Sequence, residues 1–463
     1  MCRITISRSL LPTVTGRRVY VVFLMCLSMT VGASAQVTFI NLYNFTGAPS
    51  VSQPQASLIQ GTDGDFYGVS DGGAYNYGTV FKITPTGVLT ILHNFCAQSG
   101  CPDGSDPNGP LLLAPDGNFY GTTGRSGAGP TIYKITPNGN LTTLFTFSFA
   151  TAPNGGLVVG SDAYLYGTTR GGPNDPGTVF KISPAGTFST VYNFCSLDNC
   201  ADGANPQAGL VIANDGNLYG TTYGGGIGDG TIFEISPQGT FKTIYGAFCR
   251  WCATGANPAT ALTQNSDGNF YGTTSFAGRS RGTVFEITPS GTMIFNALVT
   301  NDPNSPLLLS AGRIFGTAVY GDNDGFGSIF TTDPTRRVTT LYSFQGGDGE
   351  APSGLMQGTN GVFYGTTVLG GPYGGTFYSL SVGLPPFVAF VQAWGKVGQT
   401  RGILGQGFTG TAAVSFNGIP ASFTVISDTY LVATVPAGAT TGPVTVATPN
   451  GTLTSNVRFR IRP

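Results

Sequence analysis

The sequence predicts an all-β protein: a seven-bladed β-propeller closed by an N-terminal strand, followed by a small β-sandwich. Three observations predict it. A motif close to Asp-Gly-Asn-Phe-Tyr-Gly-Thr-Thr recurs along the chain, with its Tyr-Gly core at Tyr67-Gly68, Tyr120-Gly121, Tyr166-Gly167, Tyr219-Gly220, Tyr271-Gly272 and Tyr364-Gly365. Phe315-Gly316 fills the gap, giving seven copies spaced 44 to 53 residues apart, a period typical of blade repeats. The composition agrees: 71 glycines serve tight turns, and 12% aromatic against 9% charged residues supply surface to bury. Finally, the two ends of the array are complementary halves of one unit.

Taken in order, residues 1–35 read as an export signal. Arg3, Arg8, Arg17 and Arg18 form a basic leader before the apolar run Val19 to Val31, and Ala33-Ser34-Ala35 supplies the cleavage site. The run is shorter than the roughly 20 residues of a membrane-spanning helix. Met25-Cys26 does not fit a lipoprotein signal, and the residues around Arg17-Arg18 match a twin-arginine signal poorly. Removing this segment deletes four arginines and no acids, moving the formal charge from -1 to -5. A charge-poor, mildly acidic chain is not built to neutralise phosphates, so nucleic acid is excluded as a partner.

Residues 36–384 hold the repeats. One unit shows the grammar: Leu111 to Ala114 is a first strand, Asn118 to Thr123 a second, Thr131 to Ile135 a third and Leu141 to Phe147 a fourth. Pro115-Asp116-Gly117 and Pro137-Asn138-Gly139 are the turns, so the unit is an antiparallel meander. Ile132 on one face, with Tyr133 and Ile135 on the alternate parity, suits a blade sandwiched between neighbours. Val37 to Phe45 has the fourth-strand pattern of Val88 to Phe95 but precedes any first strand. Gly375 to Leu380 is a third strand with no fourth after it. The N-terminus therefore completes the last blade, pairing both open edges.

These units, typified by Asp215 to Thr222 with Gly230 to Pro237, resemble the Gloeo-Verruco tandem repeat of exported bacterial "choice-of-anchor" proteins over residues 37 to 382. Phe315 and the Thr331-Thr332-Asp333 run mark the most divergent unit. The resemblance implies a secreted or surface-displayed bacterial protein and supplies no catalytic residues. After Pro385-Pro386 the grammar changes. Gly405 to Gly418, Ala421 to Asp428, Leu431 to Pro436 and Gly442 to Val446 read as short alternating strands of a sandwich. Residues 385–463 thus resemble an immunoglobulin-like IPT/TIG domain, which implies a spacer, adhesion or carbohydrate-associated module. No hydrophobic tail or sorting motif follows Pro463, so no anchor is recognised.

Six cysteines remain beyond the leader, in close pairs after aromatic strand ends: Cys96 with Cys101, Cys195 with Cys200, and Cys249 with Cys252. Equivalent placement in three repeats points to local disulfides in an oxidising compartment, each rigidifying a loop. Cys249-Arg250-Trp251-Cys252 opens no helix as a thioredoxin motif would. Zinc would need more ligands than the chain's one histidine, His93, can add.

Catalytic chemistry is not signalled. His93 stands where Tyr192 and Tyr342 stand in their repeats, as a structural strand residue. Asp116, Asp215 and Asp267 belong to Asp-Gly hairpin turns. Asp322-Asn323-Asp324-Gly325 lacks the later acidic ligand of a calcium loop, and Gly224-Gly225-Gly226 lacks the Lys-Ser/Thr of a phosphate loop. Lys82, Lys134, Lys181, Glu234, Glu286, Thr331 and Ser379 occupy one third-strand position; solvated strand ends are expected there, with a Lys181–Glu234 pair or a rim dipole as alternatives.

The expectation is a non-enzymatic extracellular protein for binding, adhesion or surface display, without cofactor or metal, its partner a polysaccharide or surface protein. Two alternatives stand beside it: a polysaccharide hydrolase or lyase with carboxylates at the channel mouth, and a structural envelope protein with no small ligand.

Overall fold

The computed structural model describes residues 37–462, except 48–49, 126–128, 149–150, 172–175, 278–281, 300–301, 304, 321–324, 334 and 373. Seven antiparallel sheets follow one another along the chain, six of four strands and the second with a fifth. The third-strand grammar is met residue for residue at Thr131–Ile135. The first strand of that unit is shorter than the sequence suggests: Leu112–Leu113 pairs only with Tyr120 and Phe119. Pro110 precedes this strand and the Asp116 turn follows it, leaving two residues to run straight.

Ring closure is visible in two ways. The N-terminal strand Thr38–Asn44 lies antiparallel on Thr376–Ser381, with Phe39 opposite Leu380, so the last blade takes its fourth strand from the start of the chain. Buried side chains also form seven inter-blade clusters. The seventh packs Phe66 and Phe81 of the first blade on Tyr364 and Phe377 of the last. An open array of seven sheets would have six such clusters. Alternation along the third strand feeds both neighbours: Ile132 joins Leu157 and Phe180 of blade 3, while Tyr133 and Ile135 join Tyr67 and Phe95 of blade 1.

The repeat motif is the set of bonds that holds each blade. The tyrosine of Tyr-Gly donates its hydroxyl to the aspartate four residues earlier: Tyr67 to Asp63 at 2.8 Å, Tyr120 to Asp116 at 2.7 Å, Tyr166 to Asp162 at 2.7 Å and Tyr219 to Asp215 at 2.9 Å. The glycine is required because the third-strand aromatic lies across it. A Cβ on any of the seven would come within 3.0 Å of Phe81, Tyr133, Phe180, Phe233, Phe285, Phe330 or Tyr378. The following threonines close the strand ends, as in Thr222 with Thr231 at 2.7 Å and Thr274 with Thr283 at 2.8 Å.

The C-terminal sandwich packs a sheet of Ala389–Phe390, Thr400–Leu404, Tyr430–Thr434 and Phe423–Ser427 on one of Ile419–Ala421, Ala413–Phe416, Val444–Thr448 and Gly451–Thr454. Its core holds Val388, Ile403, Phe408, Phe416, Leu431 and Phe459. It sits on the propeller face made by the Asp-Gly turns. Thr429 Oγ1 donates to the Thr62 carbonyl at 2.8 Å, the Phe387 amide to the Thr359 carbonyl at 2.9 Å, and Val391 packs on the cluster around Tyr67 and Phe119. The opposite face carries the long loops. No helix among the described residues is long and apolar enough to cross a membrane.

Candidate functional site

The long-loop face opens into a basin whose walls are built by one repeated backbone device. At the start of six of the seven blades a residue before a proline bends the chain: Gln53, Asp106, Asn205, Asn257, Asp302 and Ala351 all take φ between 52 and 57°. This left-handed bend costs a non-glycine residue about 1 kcal/mol or more, and neighbouring loops fix it. Asn205 donates its amide to the Pro176 carbonyl of the preceding blade and accepts from the Tyr223 amide at 3.0 Å. Gln53 does the same across the ring closure, donating to Gly374 at 2.8 Å. The bend turns the chain inward in these six blades, so their next few residues reach the axis.

Those residues line a channel of about 250 Å³ to which all seven blades contribute, from Gln55 and Ser57 in the first to Ser353 in the last. Its walls are amides, hydroxyls, glycine, alanine and proline, for example Asn154, Gln207, Thr260 and Ala261, with Leu157, Val158 and Leu210 among them. Glycine makes the narrowness: a Cβ at Gly155, whose φ is +75°, would meet the backbone of Ala208 and Gly209. Over blades 1 to 3 the channel widens into a basin of about 620 Å³, with Gln53, Asp71, Asn76, Asp106, Asn108 and Arg170 around it. Gln55 Nε2 donates to Asp71 Oδ2 at 2.6 Å. Asn108 Oδ1 is buried there without a hydrogen-bond partner, as are Asn205 Oδ1 and Asn257 Oδ1. Asp302 holds the same repeat position as Asn205 and Asn257, and burial pushes its carboxyl above the usual range.

Exposed aromatic side chains stand on this face: Tyr75, Tyr77, Tyr320 and Trp251, the last 77% exposed at the tip of a cysteine loop. Disulfides join Cys96 to Cys101, Cys195 to Cys200 and Cys249 to Cys252. An aspartate two residues beyond the second cysteine of each of two such loops grips the strand end. His93 Nε2 lies 2.9 Å from Asp103, and Tyr192 donates to Asp202 at 2.8 Å; Tyr342 bonds Asp348 in the same way in blade 6, where no disulfide follows. His93 is therefore a loop clamp, as its repeat position implies. Burial alone would raise the Asp202 carboxyl, but the Ser196 amide, the Tyr192 hydroxyl and the Ser196 hydroxyl outweigh it and hold the group below its usual range.

The other residues singled out from sequence fall elsewhere. Asp116 and Asp215 accept from Tyr120 and Tyr219 on the turn face, and Asp267 accepts from Asn269. Gly226 donates to the Cys200 carbonyl, so the glycine run packs on a cysteine loop. Asp322, Asn323 and Asp324 lie outside the described residues. The third-strand position is not a row of solvated ends, nor does Lys181 pair with Glu234. Several of these side chains bond to the turn of their own blade: Lys82 lies 3.1 Å from Asp65, Lys181 3.9 Å from Asp162, and Asn217 donates to Glu234 at 2.6 Å, whereas Glu286, 1% exposed, accepts from Asn269 of its own blade at 2.9 Å and meets Arg336 of the next blade at 2.7 Å. The register opposite the Asp-Gly turn brings these groups together, since Glu234 pairs with Tyr219 across the strands. Among the described residues no group of three or more His, Cys, Asp or Glu is placed to hold a metal ion.

The basin residues were not named from sequence, although the repeated x-Pro step before each first strand marks the register where they stand. Comparison with protein families matches residues 26–201 and 196–378 to the Gloeobacter/Verrucomicrobia repeat and residues 386–461 to the IPT/TIG domain. No curated protein matches the chain. Among solved structures, a luciferin-regenerating enzyme is 10% identical with a TM-score of 0.41, over 76% of this chain and 97% of its own. An oligogalacturonate lyase in complex with manganese is 12% identical with a TM-score of 0.45, over 76% and 97%. An oligogalacturonate lyase from Vibrio parahaemolyticus is 11% identical with a TM-score of 0.44, over 75% and 97%.

Proposed function

The chain belongs to the Gloeobacter/Verrucomicrobia repeat family, and from that premise we propose that it is an exported, non-enzymatic binding protein that takes a polysaccharide at the basin on its long-loop face. The observation that carries this reading is the amide-rich wall with its buried, unpartnered Asn108 Oδ1. Side-chain amides present a donor and an acceptor at fixed spacing, as vicinal sugar hydroxyls require. Exposed Tyr75 and Tyr77, beside the wall residue Asn76, offer ring faces for stacking. Three short disulfide loops keep that face ordered in an oxidising compartment.

Asp71 and Asp106 share the basin with Arg170 and support the second reading, a polysaccharide hydrolase or lyase. One experiment separates the two. The oxidised chain is applied to a glycan array, and any bound glycan is analysed for products. Binding without cleavage, weakened at least tenfold by Asn108→Ala with Asn154→Ala, is the expected result. Cleavage lost in Asp71→Asn or Asp106→Asn would establish the enzyme reading. Silence across a broad array would overturn both.

A further inference from the structure

The sequence ends on an alternation, Arg458-Phe459-Arg460-Ile461-Arg462, that puts three guanidinium groups on one side of an extended segment. Phe459 is buried in the sandwich core and Ile461 packs against it, so the arginines face away from that core. They face the propeller. Together with Arg313, at the start of the second strand of blade 6, they line a cleft of about 850 Å³ between the sandwich and the turns of blades 4 to 6. No carboxylate is among its lining residues. The chain has 21 Lys and Arg in all, against 22 Asp and Glu, so four cations converging without an acid between them is a built concentration of charge.

The Arg462 guanidinium is held in place. Arg462 lies over the Trp394 ring at 4.2 Å, and its Nη2 is buried with no hydrogen-bond partner. Burial, then the charge of Arg462, lowers the Arg460 pKa, and Asp215 nearby partly offsets this. Asp215 is itself occupied, accepting from Tyr219 and Asn217. Among the described residues no carboxylate lies within ion-pair distance of Arg313, Arg458, Arg460 or Arg462. Clustered like charges repel, and a buried guanidinium N–H without an acceptor is destabilising. An anionic ligand would relieve both. Guanidinium groups bind carboxylates and sulfates in two-point fashion. Between them the cleft presents Asn214, Asn265, Ser266 and Asn456, groups that bond neutral hydroxyls.

We propose that this cleft binds an anionic polysaccharide, its acidic groups on the arginines and its hydroxyls on the amides. It is a second site, on the face opposite the basin. The test uses the full chain, secreted and oxidised, with three immobilised probes: alginate for carboxylates, dextran sulfate for sulfates and plain dextran as the neutral control. Binding to alginate or dextran sulfate, but not to dextran, is expected, weakening as salt rises. Which of the two binds more tightly names the acidic group. Arg313→Ser with Arg458→Ser, both exposed, should weaken it at least tenfold and flatten the salt dependence. Arg313→Lys with Arg458→Lys should retain the salt dependence and lose part of the affinity. Lys134→Ser with Lys242→Ser removes the same charge outside the cleft and should change affinity less than twofold. Equal loss in the two serine pairs would overturn the proposal, as would binding to neither acidic probe. Asn108→Ala with Asn154→Ala should leave acidic binding intact, so the basin reading and this one fail separately.

Discussion

Blade 4 carries every bond of the repeat unit, and blade 6 lacks most of them, yet both take their places in the same closed ring. In blade 4, Tyr219 donates to Asp215, Thr222 meets Thr231, and Gly220 lies under Phe233. In blade 6 the tyrosine is Phe315, the aspartate is Ala311, and Ala318 stands opposite Ser328 where two threonines would pair. Donor and acceptor are missing together, so no buried polar group is orphaned there. What blade 6 keeps is the glycine under the aromatic, Gly316 beneath Phe330, and the inter-blade packing of Leu307, Phe315 and Ile329. Shape is what every blade retains. The polar bonds are dispensable when removed as pairs.

The largest expected effect tests that ranking. Gly220→Ala and Gly316→Ala each force a methyl into a third-strand ring and should destabilise by about 3 kcal/mol, the upper range for overpacking. Chemical denaturation should give the same loss in both blades. A much smaller loss in blade 6 would show that its ring is free to move and that shape is not what the two share.

Two loop aspartates contrast in the same spirit. Asp202→Asn removes a carboxylate gripped by Ser196 and Tyr192 and should cost about 2 kcal/mol at neutral pH. Because the Asp202 pKa is depressed in the fold, its stabilisation is complete above the unfolded carboxyl value and disappears as pH falls through the folded one. Asp302 is raised, so its sign is opposite: stability falls as pH climbs from the unfolded value through the folded one. Asp302→Asn, which installs the residue of blades 4 and 5, should therefore stabilise at pH 7 and make no difference at pH 3. Melting temperatures across that range check both signs.

Breaking one polar pair should cost less. Tyr219→Phe should lose about 1 kcal/mol. Phe315→Tyr alone should gain nothing, but with Ala311→Asp it should recover a coupling of similar size. A double-mutant cycle in blade 6 that shows no coupling would mean that the turn there cannot present the aspartate.

How much of this was legible follows from the same contrast. Tyr-Gly, Asp-Gly and Thr-Thr recur because each serves one blade, and repetition makes local structure readable: the third strand at Thr131–Ile135 and the donated N-terminal strand are where the pattern puts them. The basin is assembled differently. Asn108, Asn154 and Gln55 come from three blades, each directly after its x-Pro step, and it is the ring, not any one blade, that brings them together. The arginine cleft was open to sequence as a period-2 alternation from Arg458 to Arg462. Its meaning needed the opposite wall, since Arg313 lies well over a hundred residues away in the chain. The third-strand Lys and Glu side chains were misjudged as solvated because their partners sit on a turn 17 to 19 residues earlier.

The smallest effect sharpens the comparison from the side of blade 2. Five blades place phenylalanine over the repeat glycine, but Tyr133 and Tyr378 put a hydroxyl there, buried and without a partner. Desolvation of those phenols drives their pKa values far up, as expected for groups with no acceptor to receive their proton. If shape rules this position, Tyr133→Phe keeps the ring and removes only the desolvated oxygen. It should stabilise by about 0.5 kcal/mol, against a loss of about 1 kcal/mol for Tyr219→Phe, whose hydroxyl is bonded. The same substitution would then have opposite signs in two places within one repeat unit. A loss at Tyr133 would mean that its hydroxyl finds a partner in solution, and that polar bonding also contributes at the position where shape is expected to act alone.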